Sequence, residues 1–132
     1  MSQDLVWSII KKNNAFLKSS HGLTLSAEPG NLRNKNSLKY SGLARRTTID
    51  VAAVNGKVVV SSKIVKKAAF PAQSKKTTTF STVNTRKTAR FVKTLATQYA
   101  PELRAAALGR LHRVQSALRS AKKAAARKAK KN

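Results

Sequence analysis

Apolar positions recur along the chain in two periods, and the period changes from segment to segment. Leu5 and Ile9, and likewise Val6 and Ile10, stand four apart. Ser2 can cap a helix ahead of them, and Asp4 suits its first turn. The spacing predicts a helix over about 3–12, stopped by Asn13-Asn14. Residues 15–18 read as a strand, His21-Gly22 as a turn, and 23–27 as a strand of period two, so the two strands form a hairpin. Glu28-Pro29-Gly30-Asn31 ends that hairpin. Residues 31–46 are polar and basic around Leu32, Leu38, Tyr40 and Leu43. They predict an irregular segment with room for a helical turn, because Asn31, Asn34 and Asn36 suit turns better than helix interiors.

A second hairpin is written more plainly. Residues 47–54 are rich in β-branched side chains, Asn55-Gly56 follows, and 57–62 return to Val58-Val59-Val60. Asn-Gly between two such runs favours the type I′ turn, whose central residues both need positive φ. Residues 66–82 then read as a long loop with four lysines and no acid. Asn84 or Thr85 can cap a second helix reaching about Tyr99, with Ala89, Val92, Ala96 and Tyr99 on one stripe and Phe91 and Leu95 beside it. Pro101 stops that helix and suits the first position of a third, with Glu102 in its first turn. There Leu103, Ala107, Leu111, Val114 and Leu118 make a continuous apolar stripe.

These elements predict an α+β fold: an N-terminal helix, two β-hairpins forming a small antiparallel sheet, two C-terminal helices and a basic tail. The expected division is a helix and hairpin body over 1–65, a basic loop over 66–83, a two-helix region over 84–120, and a low-complexity tail over 121–132. Alanine permits a helix in that tail, while its charge opposes one in free solution.

Charge changes the picture most. The 132 residues hold 28 Lys and Arg against 4 Asp and Glu, a formal charge of +24. Residues 1–60 carry nine bases and three acids, and 61–132 carry nineteen bases and one acid. The first half therefore reads as the more core-forming part and the second as the part that meets a polyanion. Of the 41% hydrophobic residues many are alanine; Leu, Ile, Val and Phe make up about 23% of the chain, enough for a small core. A surface built for solubility mixes both signs, and here acids are nearly missing. Nucleic acid is the expected counter-charge. No apolar run is long enough to span a bilayer, and no apolar second signal supports membrane binding.

Catalytic chemistry finds little to work with. There is no cysteine, so thiol catalysis and thiolate metal sites are excluded. Asp4, Glu28, Asp50 and Glu102 are scattered, and His21 and His112 have no partner at metal-ligand spacing. No glycine-rich phosphate loop is present. The expectation is no enzyme, no cofactor and no metal. The expected RNA contacts are basic residues from every segment. They are Lys11 and Lys12 at the end of the first helix, and Arg33, Lys35, Lys39, Arg45 and Arg46 in the irregular segment. Lys66, Lys67, Lys75 and Lys76 follow in the loop, then Arg86, Lys87 and Arg90 early in the second helix. Arg104, Arg110, Arg113 and Arg119 lie on the third helix, and Lys122, Lys123, Arg127 and Lys128 in the tail. Phe70 and Phe80, in the basic loop, are candidates for stacking on unpaired bases.

Three blocks carry a family resemblance. Asp4-Leu5-Val6-Trp7 with Phe16-Leu17 opens the chain. Ser26-Ala27-Glu28-Pro29-Gly30-Asn31-Leu32, then Asn36-Ser37, then Tyr40-Ser41-Gly42-Leu43 form the second block. Pro101-Glu102-Leu103-Arg104-Ala105-Ala106-Ala107 with Leu118-Arg119-Ser120 form the third. In this order they resemble the eukaryote-type large-subunit ribosomal protein twenty-eight family over nearly the whole chain; the loop at 66–82 and the Ala-Lys tail depart from it. The resemblance implies a structural constituent of the large ribosomal subunit, bound to its ribosomal RNA and to neighbouring large-subunit proteins and not forming a homo-oligomer. It also implies cytoplasmic ribosomes as the location, with assembly in the nucleolus. On this view the block at 28–31 fixes the exit from the first hairpin so that Arg33, Lys35, Lys39, Arg45 and Arg46 face phosphates, or else is a structural turn only. The alternative function is a chromatin or other nucleic-acid architectural protein with a linker-histone-like Lys-Ala tail; a small hydrolase or nuclease is the rival from another class.

Overall fold

The computed structural model describes residues 2–67, 73–81 and 85–129. In chain order the elements are α1 (Gln3–Ile10), β1 (Leu17–Ser20), β2 (Leu23–Ser26), β3 (Ile49–Val54), β4 (Lys57–Lys63), β5 (Lys75–Phe80), α2 (Thr85–Tyr99) and α3 (Arg104–Ala129). Short 3₁₀ turns at Val65–Lys67 and Pro101–Leu103 link them. The class is α+β, as the pattern predicts. The two hairpins do not share a sheet, however: β1 pairs only with β2, and β3-β4-β5 form a separate three-stranded antiparallel sheet.

The larger sheet follows from period two. Ile49 and Val51 on β3 and Val58 and Val60 on β4 are buried, while the residues next to them within the strands face outward or stay half-exposed. Register places Val51 opposite Val60 and Ala53 opposite Val58, so one apolar face forms. Asn55 and Gly56 have φ of 50° and 71°, the positive pair that a type I′ turn requires. His21 and Gly22, at 49° and 75°, close the first hairpin in the same way.

β5 lies where the sequence predicts a loop. Its sequence Lys-Lys-Thr-Thr-Thr-Phe carries one large apolar residue, so no alternation announces it. What makes it a strand is non-local. β4 has an open edge, and the β-branched threonines suit a pleated surface. Phe80 pairs with Val58 and Thr78 with Val60, extending the inner face by one strand. The Phe80 ring packs against Phe91 of α2, centroids 5.0 Å apart. Phe80 is thus part of the core boundary, not a free stacking platform. Phe70 and the Asn84 cap lie outside the described residues.

The helices α2 and α3 cover this face. Among the described residues the core comprises Leu32, the four sheet residues above, Val92, Ala96 and Ala100 of the α2 end, and Leu103, Ala107 and Leu111. The alanines in that set let the helices approach each other and the sheet closely. The α2 stripe is rotated slightly from expectation: Thr88, Val92 and Ala96 are buried, whereas Tyr99 is 41% exposed. Pro101, which has no N–H to donate, begins the 3₁₀ turn that redirects the chain, and the Leu103 amide donates to the Ala100 carbonyl at 2.9 Å. The core therefore draws on both halves of the chain. α1 adds nothing to it; none of its residues is buried, and Leu5 and Ile9 are largely exposed. α3 continues as helix through the basic stretch to Ala129, 26 residues or roughly 39 Å at 1.5 Å per residue. No helix among the described residues is long and apolar enough to cross a membrane.

Two glycines mark opposite packing situations. A Cβ on Gly42 would lie 2.0 Å from the Pro29 carbonyl oxygen, so backbone meets backbone there. A Cβ on Gly109, inside α3, would meet nothing within 4 Å. Gly42→Ala is expected to lower stability by more than about 2 kcal/mol, and Gly109→Ala to raise it by up to about 1 kcal/mol. Thermal melts of the two variants check both signs.

Candidate nucleic-acid interface

The site begins with a buried carboxylate. Glu28 is only 4% exposed. Its carboxylate oxygens accept from the Asn31 side-chain amide at 3.2 Å and from the Ser41 hydroxyl at 3.1 Å. The Ser41 oxygen in turn accepts from the Ala44 amide at 3.1 Å. Asn31 also donates to the Lys35 carbonyl at 2.8 Å and accepts from the Arg33 amide at 3.2 Å. The Ser26 amide donates to the Asn34 carbonyl at 2.9 Å, where Asn34 takes a positive φ of 57°. A segment without regular structure is thereby held at points all along its length. Buried polar groups cost free energy unless bonded, so this node is stable only as a whole. The 28–31 block is a structural anchor whose bonds end on the backbone that carries Arg33 and Lys35.

Facing that segment across a groove is the first part of α3. The groove, about 540 Å³, is lined on one side by Arg33, Asn34, Lys35, Lys39 and Tyr40, and on the other by Ala105, Ala106, Gly109, Arg110 and Arg113. The Arg33 guanidinium carbon lies 6.0 Å and the Lys39 ammonium 5.8 Å from the Tyr40 ring centre. Arg110 also donates from Nε to the Val51 carbonyl on the open edge of β3, at 3.5 Å. Glu102, at one end of the groove, is bonded to Arg45.

The other bases fall into groups. Lys11 and Lys12 follow α1 beside the first hairpin, and the Asn36 side chain donates to the Lys11 carbonyl at 2.9 Å. Lys66, Lys67, Lys75 and Lys76 are exposed at one end of the larger sheet, where Lys63 pairs across strands with Lys75. Arg86, Lys87 and Arg90 are exposed on α2, and Arg104 at the start of α3. Arg119 donates to the Thr85 hydroxyl at 2.7 Å, tying α3 to the start of α2. Lys122, Lys123, Arg127 and Lys128 are exposed on the far end of α3. Arg46 is exposed, while Arg45 turns inward, donating to the Lys39 and Thr47 carbonyls as well as to Glu102. Its guanidinium is occupied by the protein itself. The structure thus gathers Arg33, Lys35, Lys39, Arg110 and Arg113 in one groove and leaves the rest spread over separate faces.

A family model described as the Ribosomal L28e protein family matches residues 5–117. The chain belongs to that family. A Caenorhabditis elegans relative, large ribosomal subunit protein eL28, is 46% identical over 83 residues, covering 61% of this chain and 64% of the relative. A Schizosaccharomyces pombe relative of the same name is 31% identical over 93 residues, covering 67% of this chain and 69% of the relative. The alignment with the nematode protein thus spans less than two thirds of that protein's length. The Ribosomal L28e match takes in the Glu28 node and both walls of the groove; the basic end of α3 lies beyond it.

Sequence reasoning passed over three members of this surface. Gly109 could have been noticed as a glycine inside a helical stripe. Glu102 reads locally as a helix-start residue, and only the fold brings Arg45 to it. Lys63 is half-buried, with its ammonium donating to the Arg45 carbonyl at 3.1 Å. Burial pulls its pKa below the ordinary 10.5, and the like charge of Lys75 pulls the same way. Between the lowered folded value and 10.5 the unfolded chain holds the extra proton, so this group makes stability rise with pH across that window. Lys75→Gln removes the second cause and is expected to move the Lys63 pKa upward and make that rise shallower. NMR titration of the Lys63 side chain checks it; an unmoved pKa would contradict the assignment.

Proposed function

We propose that the chain is a structural constituent of the eukaryotic large ribosomal subunit, binding ribosomal RNA through its basic loops, helix faces and the C-terminal end of α3. Family membership over residues 5–117 carries this reading. The charge of +24 supports the RNA part of it: few acids are available to neutralise the bases, and bases that replace the counterions of a phosphate backbone release those counterions into solution. The bases bound for RNA on this reading are those of the groove, the sheet end, α2 and the far end of α3. Arg45 contributes by holding its segment in place. Neighbouring large-subunit proteins complete the surroundings, supported by exposed Leu5, Ile9, Leu23 and Leu25, which have nothing to gain from phosphate. The role is scaffolding in translation rather than catalysis, which is supported by the bonding of Glu28 within the fold and of Glu102 to Arg45. Residence on cytoplasmic ribosomes and assembly in the nucleolus belong to the same proposal.

Sedimentation of lysate from cells carrying a tagged chain tests it. The chain is expected in the large-subunit fraction and is expected to leave it after ribonuclease. A chain truncated after Ser120 should still bind ribosomal RNA, with its log affinity falling less steeply with log salt, by about 0.7–0.9 for each phosphate left unneutralised. A chain found free of ribosomal particles and indifferent to ribonuclease would refute the proposal.

A further inference from the structure

The groove between the 32–40 segment and α3 has properties that general attraction to phosphate does not require. Five cations line it, and its one carboxylate, Glu102, is already bonded to Arg45. Like charges that converge without a counterion repel, so the free protein holds them together only because the walls are rigid. An anion within the groove reverses the sign of that interaction.

Beside the cations stands an aromatic ring. Tyr40 is half-buried, packing in part against the core, but unlike Phe80 it lines the groove, with Arg33 and Lys39 over its ring. A guanidinium and a tyrosine ring are two of the flat surfaces on which an unpaired base stacks. A duplex offers phosphates but keeps its bases paired and stacked within. An acidic peptide matches the charge and leaves the ring unused.

The floor supplies an independent observation. Between Glu102 and Arg110 the α3 residues lining the groove are Ala105, Ala106 and Gly109. Gly109 has no positive φ, and a Cβ there meets nothing. Glycine inside a helix weakens it relative to alanine, so the fold bears a cost that nothing within the chain explains. What this glycine preserves is open space against the helix backbone.

The opposite wall is set before any ligand arrives. The bonds from Asn31 to Lys35 and Arg33, and from Ser26 to Asn34, fix the backbone of 33–35. A ligand meets a shaped surface and does not have to order a loop. A cavity of about 540 Å³ lies inside the range of small-ligand sites, roughly 300–1,000 Å³.

We propose that this groove holds one unpaired nucleotide of the bound RNA, with its phosphate among Arg33, Lys35, Arg110 and Arg113 and its base against the Tyr40 ring. This rests on the reading of the chain as a ribosomal-RNA-binding protein and goes beyond it, because it assigns one surface to single-stranded RNA and to a base.

The test measures binding of the intact chain to a short labelled single-stranded RNA, to an RNA duplex of the same length, and to an acidic peptide of equal charge. Gly109→Leu fills the floor, Tyr40→Leu removes the ring, and Tyr40→Phe keeps it. Gly109→Leu and Tyr40→Leu are each expected to weaken single-strand binding roughly tenfold and to leave duplex binding within about twofold. Tyr40→Phe is expected to bind as the unaltered chain does, and Gly109→Leu to melt no lower than it. Should Gly109→Leu fold poorly, the contrast between Tyr40→Leu and Tyr40→Phe decides. Equal losses on single strand and duplex, no loss on either, or peptide binding that senses the same substitutions would overturn the nucleotide site while leaving RNA binding intact. An unaltered chain that binds neither RNA would overturn the ribosomal-RNA reading itself.

Discussion

The charge of the chain constrains everything else in it. With 28 bases and four acids, the fold cannot neutralise itself, and two of its carboxylates, Glu28 and Glu102, tie together segments distant in sequence. Glu28 is buried and organises the irregular segment through Asn31 and Ser41. Glu102 ties the start of the α3 region to Arg45, and through Arg45 to the Lys39 and Thr47 carbonyls. An exposed ion pair of that kind adds little stability by itself; its effect here is to fix where the 39–47 backbone runs. The remaining bases are left at the periphery, on helix faces, a sheet end and one groove. Apolar burial is correspondingly economical: the core is built from a three-stranded sheet, two helices, Leu32 and a set of alanines.

That arrangement explains why the surface is divided as it is. Bases on α2 and the far end of α3 stand on the exposed faces of regular helices. In the groove, Arg33 and Lys35 stand on a backbone fixed by buried bonds and face a stretch of α3 whose lining is Ala105, Ala106 and Gly109 beside Arg110 and Arg113. The first kind of surface supplies attraction without discrimination; the second has the rigidity and shape that discrimination needs. Lys63 shows the opposing limit. Where a base is drawn partly into the body, opposite Lys75, the fold lowers its affinity for a proton instead of finding it an acid.

Features whose cause is local are legible in the sequence. Asn55-Gly56 announces its hairpin because the turn chemistry is complete in two residues, and Pro101 announces the break between α2 and α3 for the same reason. The apolar stripe of α3 is readable nearly to the residue, with Gln115 buried in line with Leu111. Features whose cause is distant are not legible. β5 exists because β4 has an edge to offer, and nothing in Lys-Lys-Thr-Thr-Thr-Phe states that. The Ser41–Glu28 bond joins residues 13 apart in a stretch without periodicity, and the Arg45–Glu102 pair joins residues 57 apart. The bases are all visible as bases. Which of them converge on Tyr40, and that Arg45 turns inward, depends on α3 packing against the 32–40 segment.

On the proposed reading the phosphate backbone of RNA is the counter-charge this fold lacks, and amide hydrogen exchange probes that dependence residue by residue. The intact chain is compared free and then saturated with ribosomal RNA at one salt concentration. Amides of the β3–β4 pairing, such as Ala52 and Val59, are expected to be protected in both states, while those of 31–46 and of the basic end of α3 gain protection only with RNA. Full protection of the α3 end in the free chain at low salt, with no change on adding RNA, would show that the fold needs no such counter-charge.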